Sequence, residues 1–469
     1  MAIPKFLEEK NLIPNVSINP DLNYLGTETA FGFGAEVLAV EASKKFPQIY
    51  KFHVGDTGPR TPEPIINTAI QALKDKQTKY GHFAGYPQVR QNIASYMTRA
   101  RGVEITVDNI LLQPGGKPAI ELAMQALLGP EDYVVCQNPG YPIYESLAKF
   151  YGRGRYLGWT ARYDESKEKL VFHVSDLQKI LEENKQAGKN VKILVVNTPQ
   201  NPTGLMMSQA QLEEVAKLSE KYNFMVLFDD IYDQIVFGGR KHFSLLSIPG
   251  MLERTINLNG YSKDYAMTGW RLGFIIAPKW LIEIFGRLAI NKWSCVGKVN
   301  QIAAGVVFGD VDLDGFHYPS VSEEVQKIVA EDFKEYERKG GFLVDCLSLL
   351  KPYVVPNPVE GAFYDFPRIV KLLDLDYVKN DLNIKNDKDF SKWLLHEKGF
   401  AALAGSDFGT GGQGFIRFSY AEDRHSHIIP GMKHFLKIAI ELITKSGQVA
   451  PLSADQVDAK VSEIEKRYF

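Results

Sequence analysis

Lys263 and Arg271 stand eight positions apart, with Ser262 beside the lysine, in the short aromatic stretch from Tyr261 to Leu272. An amine can condense with an aldehyde, and a guanidinium with a hydroxyl can hold a phosphate. Pyridoxal phosphate carries both groups on one ring. The competing reading is a solvated lysine and arginine flanking an aromatic stretch, which a short motif always leaves open.

Four further segments place reactive or ligand-holding residues just past apolar runs. Phe228-Asp229-Asp230-Ile231-Tyr232 ends an apolar run in acid. A carboxylate there is costly unless paired, and a protonated ring nitrogen would pair it; the alternative is a helix cap by Asp229 or Asp230. Tyr232 could reach the same ring's phenolic oxygen or merely pack. In Asn197 to Gly204, Pro199 and Pro202 restrict the backbone, so Asn201 is either aimed at a ligand oxygen or simply part of a rigid loop. Pro114-Gly115-Gly116-Lys117 opens a helix after a strand. Bare glycine amides at a positive helix end bind phosphate, and a plain tight turn is the alternative. Tyr141, past another apolar run, could stack on a planar ring or pack.

The elements that must position these residues read as an α/β fold. From about Pro62 to Pro278, strand-like runs alternate with helix-like stretches: 109–112, 133–136, 193–196, 224–228, 255–258 and 272–277. Continuous apolar strands between helices predict a mostly parallel sheet covered on both faces, with ligands at the loops beyond the strand carboxyl ends. Ser208 with Gln211 reads as a capping box opening a helix to about Tyr222. After about Gly309 the pattern changes to long charged helices, a Pro/Asn-rich connector (Pro352 to Pro358) and a capped helix from Ser453 expected to dock on a second unit. The expected division is a large domain, 56–310, and a smaller α+β domain built from 1–55 and 311–469.

Composition narrows the classes. The 469 residues are 45% apolar and 23% charged, with a net charge of −2, which is ordinary for a globular protein and offers nothing to nucleic acid or an anionic membrane. Three scattered cysteines, Cys136, Cys295 and Cys346, fit packed thiols in a reducing compartment. Met1 to Lys10 lacks a signal-peptide pattern and no apolar stretch reaches the length of a spanning helix, so the expected location is cytoplasmic. Asp310 to Gly315 begins like a calcium loop, but its twelfth position is Val321 rather than Glu; Gly32-Phe33-Gly34 lacks the third glycine of a dinucleotide fingerprint. No metal site is expected.

Taken together in order, from about Gly55 to Ala421, these segments resemble the class I/II aminotransferases, the fold type I pyridoxal-phosphate enzymes. The resemblance implies pyridoxal 5′-phosphate as cofactor and assigns roles by motif. Lys263 would be the amine that condenses with the cofactor aldehyde and carries the proton. Asp229 would pair with the ring nitrogen, Asn201 and Tyr232 with the phenolic oxygen, and Tyr141 would stack on the ring. Gly115, Gly116, Lys117, Ser262 and Arg271 would hold the phosphate. Phe415 to Ala421 resembles the segment whose arginine grips the substrate carboxylate, giving that role to Arg417, with the Gly55 backbone and Asn201 beside it. Tyr80 matches a tyrosine that reaches the phosphate of a neighbouring subunit, implying a homodimer with a shared site.

The implied activity is transfer of an amino group from an L-amino acid, aspartate-type or broad, to a 2-oxo acid such as 2-oxoglutarate. The acidic lean rests on Lys117, which resembles a lysine that helps hold a distal carboxylate. A β-lyase of the same cofactor class is the alternative, because it would share every cofactor residue. Two departures touch the pocket: Gly55-Asp56-Thr57-Gly58-Pro59 stands where the family often has Gly-x-Pro-Asp-Phe, and Gly260 removes a phosphate hydroxyl found in some members.

Overall fold

Seven strands form one sheet. The structure is a computed structural model that describes residues 19–26 and 29–469; Met1 to Lys10, and with it part of the 1–55 segment, lies outside them. The strands are β1 (Ile110–Gln113), β2 (Asp132–Asn138), β3 (Tyr156–Thr160), β4 (Asn190–Asn197), β5 (Met225–Asp229), β6 (Thr255–Gly260) and β7 (Gly273–Ile276). Their spatial order is β1-β7-β6-β5-β4-β2-β3.

The pairs from β6 through β5, β4 and β2 to β3 are parallel. Only β7 runs against its neighbours, β1 and β6. The reason lies in the connection: Tyr261 to Leu272 holds one short 3-10 turn, Thr268–Trp270, and no crossover helix, so the chain returns antiparallel. Sequence patterning had not separated β7 from the rest. Nor did it reveal β3, a half-exposed edge strand with Gly158 at its centre and no continuous apolar run.

Helices cover both faces, and the pleat explains how. Ile193 and Val195 of β4 pack with the helices Lys117–Leu127 and Lys279–Trp293. Leu194 and Val196, pointing the other way, pack with Val174–Gln186 and Gln209–Tyr222. The predicted capping box is present, with Ser208 and Gln211 bonded reciprocally.

A second core gathers the helices Ser322–Ser348, Ile429–Lys445 and Ala454–Tyr468 around a three-stranded sheet of Tyr364–Asp365, Ile416–Ser419 and Leu403–Ala404. The C-terminal helix docks here as expected: Val457, Val461 and Ile464 are buried, and Tyr468 donates to Asp345 at 2.9 Å. The helix Thr29–Ala42 contains Gly32 to Gly34 and packs beside the first core through Val37 and Val40. Asp310 to Gly315 belongs to a hairpin, turning at Asp314 (φ 50°) and Gly315 (φ 81°), the conformation an Asp-Gly pair favours.

Candidate active site

The loops after β1, β2, β4, β5 and β6 meet at one edge of the sheet, where the strands' carboxyl ends open toward the second core. A cavity of about 700 Å3 lies there. Eleven of the residues singled out in the sequence line it: Gly55, Gly116, Lys117, Tyr141, Asn201, Asp229, Tyr232, Ser262, Lys263, Arg271 and Arg417. Two do not. Gly115 lies behind Arg271, and Tyr80 stands outside with 89% of its surface exposed.

At the Lys263 end, Nζ donates to the Gly55 carbonyl at 2.5 Å and lies 5.5 Å from the centre of the Phe363 ring. Arg271 adopts a left-handed conformation (φ 53°) and donates from Nη1 to the Thr268 carbonyl at 2.7 Å. Gly115 (φ 85°) must be glycine: a Cβ there would fall 2.2 Å from Arg271 Nη2. Gly116 then caps the helix Lys117–Leu127, so bare amides, a positive helix end and the guanidinium share one corner. Ser262 is buried beside them.

Asp229 occupies the deep side. Tyr144 donates to its Oδ2 at 2.5 Å and the Ile231 amide to its Oδ1 at 3.1 Å. Burial pushes this carboxyl up to about 7, against the pull of those two bonds and of Lys263; the neighbouring Asp230 adds to the rise. Asp230 itself turns away, to Arg101 at 3.1 Å and the amide groups of Asn257 (2.8 Å) and Asn259 (3.1 Å). Neither aspartate caps a helix, because the chain continues in turns. Tyr232 is fully buried, its hydroxyl 3.1 Å from that of Tyr364, and burial drives its phenol far above the usual range.

Arg417, on the second core's sheet, points into the same cavity. Its Nη1 donates to Asn201 Oδ1 at 3.0 Å and Nη2 to the His53 carbonyl at 2.7 Å. The guanidinium lies between the rings of Tyr364 (4.5 Å) and Phe408 (4.9 Å), which holds the planar fork in one orientation. Burial, then Arg417 and Lys51, lower the His53 imidazole to about 4, so it stays neutral here at pH 7.

Sequence reasoning missed Tyr144. It sits one turn past Tyr141 on the helix Pro142–Tyr151, and that spacing alone could have placed both on one side. Tyr144→Phe removes a donor that favours the ionised carboxyl, so Asp229 should titrate higher still. The expected result is an acid limb of the pH–rate profile moved up by about one unit, with kcat down about tenfold. An unmoved limb would leave Tyr144 a packing residue.

Residues 49–426 match the sequence model of the family described as aminotransferase class I and II. The chain belongs to that family. The aspartate aminotransferase of Pyrococcus abyssi is 32% identical over 370 residues, 78% of this chain and 86% of that protein. The aromatic-amino-acid aminotransferase 2 of Thermococcus litoralis is 31% identical over 375 residues, 80% and 87% of the two chains. The crystal structure of the aromatic aminotransferase from Pyrococcus horikoshii OT3 superposes with a TM-score of 0.73 at 27% identity, covering 88% of this chain and all of that one. The sheet and its helices are thus those of the fold type I aminotransferases, and this aminotransferase moves amino groups between amino and 2-oxo acids in a family that uses pyridoxal phosphate. Among the described residues no helix is long and apolar enough to cross a membrane, and no group of three or more His, Cys, Asp or Glu could hold a metal ion.

Proposed function

We propose that this aminotransferase holds pyridoxal 5′-phosphate in the 700 Å3 cavity and uses an acidic amino acid with 2-oxoglutarate. The carrying observation is the buried Asp229 carboxyl, raised to about 7 and facing the same cavity as Lys263 and Arg417. A protonated ring nitrogen is the cation that would draw that carboxyl into its ionised form. The corner made by Gly115, Gly116, Ser262 and Arg271 fits a phosphate, Lys117 adding charge, since a side chain at Gly115 would close it. Asn201 and Tyr232 fit the phenolic oxygen, and Tyr141 lies where it can cover the ring.

When bound, the cofactor supplies an electron sink for the substrate's Cα. The chain does the rest. Lys263 Nζ takes the proton from Cα and returns it on the other side of the transfer. Arg417 grips the α-carboxylate as a bidentate fork, with the Gly55 backbone and Asn201 completing the grip. The buried walls keep water away from the reacting carbon.

Exposed Tyr80, with Leu73 exposed on the preceding helix, supports a homodimer in which Tyr80 completes the partner's phosphate site. A large unit of 56–310, a smaller one of 1–55 with 311–469, and a cytoplasmic location complete the reading.

Amino-donor profiling with 2-oxoglutarate tests the specificity. Aspartate is expected among the best donors, and Lys117→Ala should raise its KM about tenfold or more beyond any rise for neutral donors, the cost of one charge-assisted bond to the distal carboxylate. Equal loss for aspartate and neutral donors would end the acidic reading.

A further inference from the structure

The helix Ser322–Ser348 presents two side chains one turn apart, Tyr336 and Lys339, to both segments that flank the donor's carboxylate. Lys339 is 4% exposed, and its Nζ donates to the carbonyls of Ala421 at 2.9 Å and Glu422 at 3.0 Å. Those residues lie just beyond the strand Ile416–Ser419 that carries Arg417. Among the described residues no carboxylate comes within ion-pair distance of it. An ammonium buried on two carbonyls and the face of the Tyr336 ring, 4.9 Å away, with no carboxylate in direct contact, is costly to keep.

The other side of Ala421 is the Gly55 loop. A Cβ on Gly58 would fall 1.8 Å from the Ala421 oxygen, so the two backbones touch, and the Gly58 amide donates to the Tyr336 hydroxyl at 3.3 Å. Tyr336 also stacks on Phe363, centroids 5.3 Å apart, the ring over which Lys263 Nζ lies. One helix face therefore reaches the Gly55 loop, the Arg417 strand and the ring against Lys263.

We propose that Lys339 is a positioning residue for the substrate carboxylate: held on Ala421 and Glu422, it locks the end of the Arg417 strand against Gly58 and so sets the opening between Gly55 and Arg417. This rests on the reading that Gly55 and Arg417 hold that carboxylate. Burial lowers the Lys339 ammonium to about 8, opposed by Glu335, Asp423, Glu422 and Asp332. These carboxylates face it from its own helix and from the chain after Arg417, and Arg424 is paired with Glu335 at 3.1 Å. Asp332, raised to about 6 by burial, has ionised before Lys339 loses its proton, and the Tyr336 phenol is driven far up and stays neutral. The clamp therefore weakens as the pH rises through about 8, when the charge-assisted bonds to the two carbonyls become neutral ones.

The test uses the cofactor-loaded enzyme and 2-oxoglutarate, which has no group titrating between pH 7 and 9. Lys339→Met should raise the KM for 2-oxoglutarate about tenfold at pH 7 with kcat within about threefold, and Lys339→Arg should recover most of it. Tyr336→Phe, which removes the Gly58 bond without changing charge, should raise KM about threefold. The parent's KM should climb several-fold more between pH 7 and 9 than that of Lys339→Arg. A folded Lys339→Met with unchanged KM overturns the proposal. So does identical pH dependence in the parent and Lys339→Arg, a comparison that stands even where Lys339→Met does not fold. Arg417→Ala separates the two layers: an unchanged KM there would remove the underlying reading, whereas a large rise there with none in Lys339→Met removes only the role of Lys339.

Discussion

Lys263→Ala is expected to lower transamination by about four orders of magnitude or more, the combined loss of a covalent anchor and a positioned base. Its Nζ is held at the Gly55 carbonyl, 2.5 Å away, and over the Phe363 ring at 5.5 Å. An amine held so near the loop proposed to touch the substrate carboxylate would stand beside the substrate's Cα. A free amine in solution would have to be ordered there in every cycle. The visible absorbance that pyridoxal phosphate gains when joined to a lysine should vanish in the same variant. Small added amines should return a little of the turnover, because the walls and Arg417 remain. Retention of either the absorbance or the full rate would remove Lys263 from the reaction.

Asp229→Asn separates the two duties of a buried carboxyl. Turnover should fall by about three orders of magnitude, because an amide cannot hold the cofactor nitrogen protonated. The cofactor-free protein should respond in the opposite sense. An unfolded aspartate titrates near 4, on the general scale of such groups, whereas Asp229 in the fold titrates at about 7. Between those values the unfolded chain has released its proton and the folded chain has not. Stability therefore drops as the pH rises through that window, by an amount on the order of a few kcal/mol. The asparagine variant lacks this titration. Its Tm should fall less from pH 4 to 7 and should exceed the parent's at pH 8. Asp365, also raised to about 7 by burial and opposed by the amides of Phe366 and Asn357, keeps its own share, so the fall is reduced and not abolished. A cofactor-free variant less stable than its parent at pH 8 would contradict the assignment of that burial cost to Asp229.

Lys263 stood out by its spacing to Arg271 with Ser262 beside it, and Asp229 because it ends an apolar run in which a charge is conspicuous. The same context left Asp229 and Asp230 indistinguishable along the chain. Their separation comes from the pleat: successive side chains at the end of β5 leave on opposite faces, so Asp229 meets the cavity and Tyr144 while Asp230 meets Arg101, 129 positions earlier. Likewise, the motif around Arg417 implied a carboxylate grip. Its orientation depends on the His53 carbonyl, 364 positions away, and on Asn201, 216 positions away.

Residue types and their local order decide the chemistry of this aminotransferase. An amine, a buried acid, a glycine pair at a helix start and two arginines are readable one by one, because each answers to rules that act over a few residues. Apolar periodicity likewise decides that a covered, mostly parallel sheet will bring the loops between strands to one edge. The reversed strand β7 followed from a connection with no crossover helix, and β3 from its place at an edge. Tyr144 beneath Asp229, the sandwich of Arg417 between two rings, and Lys339 behind Ala421 are contacts between elements far apart in the chain. Their energies come from burial and shape, which exist only once those distant elements have packed together.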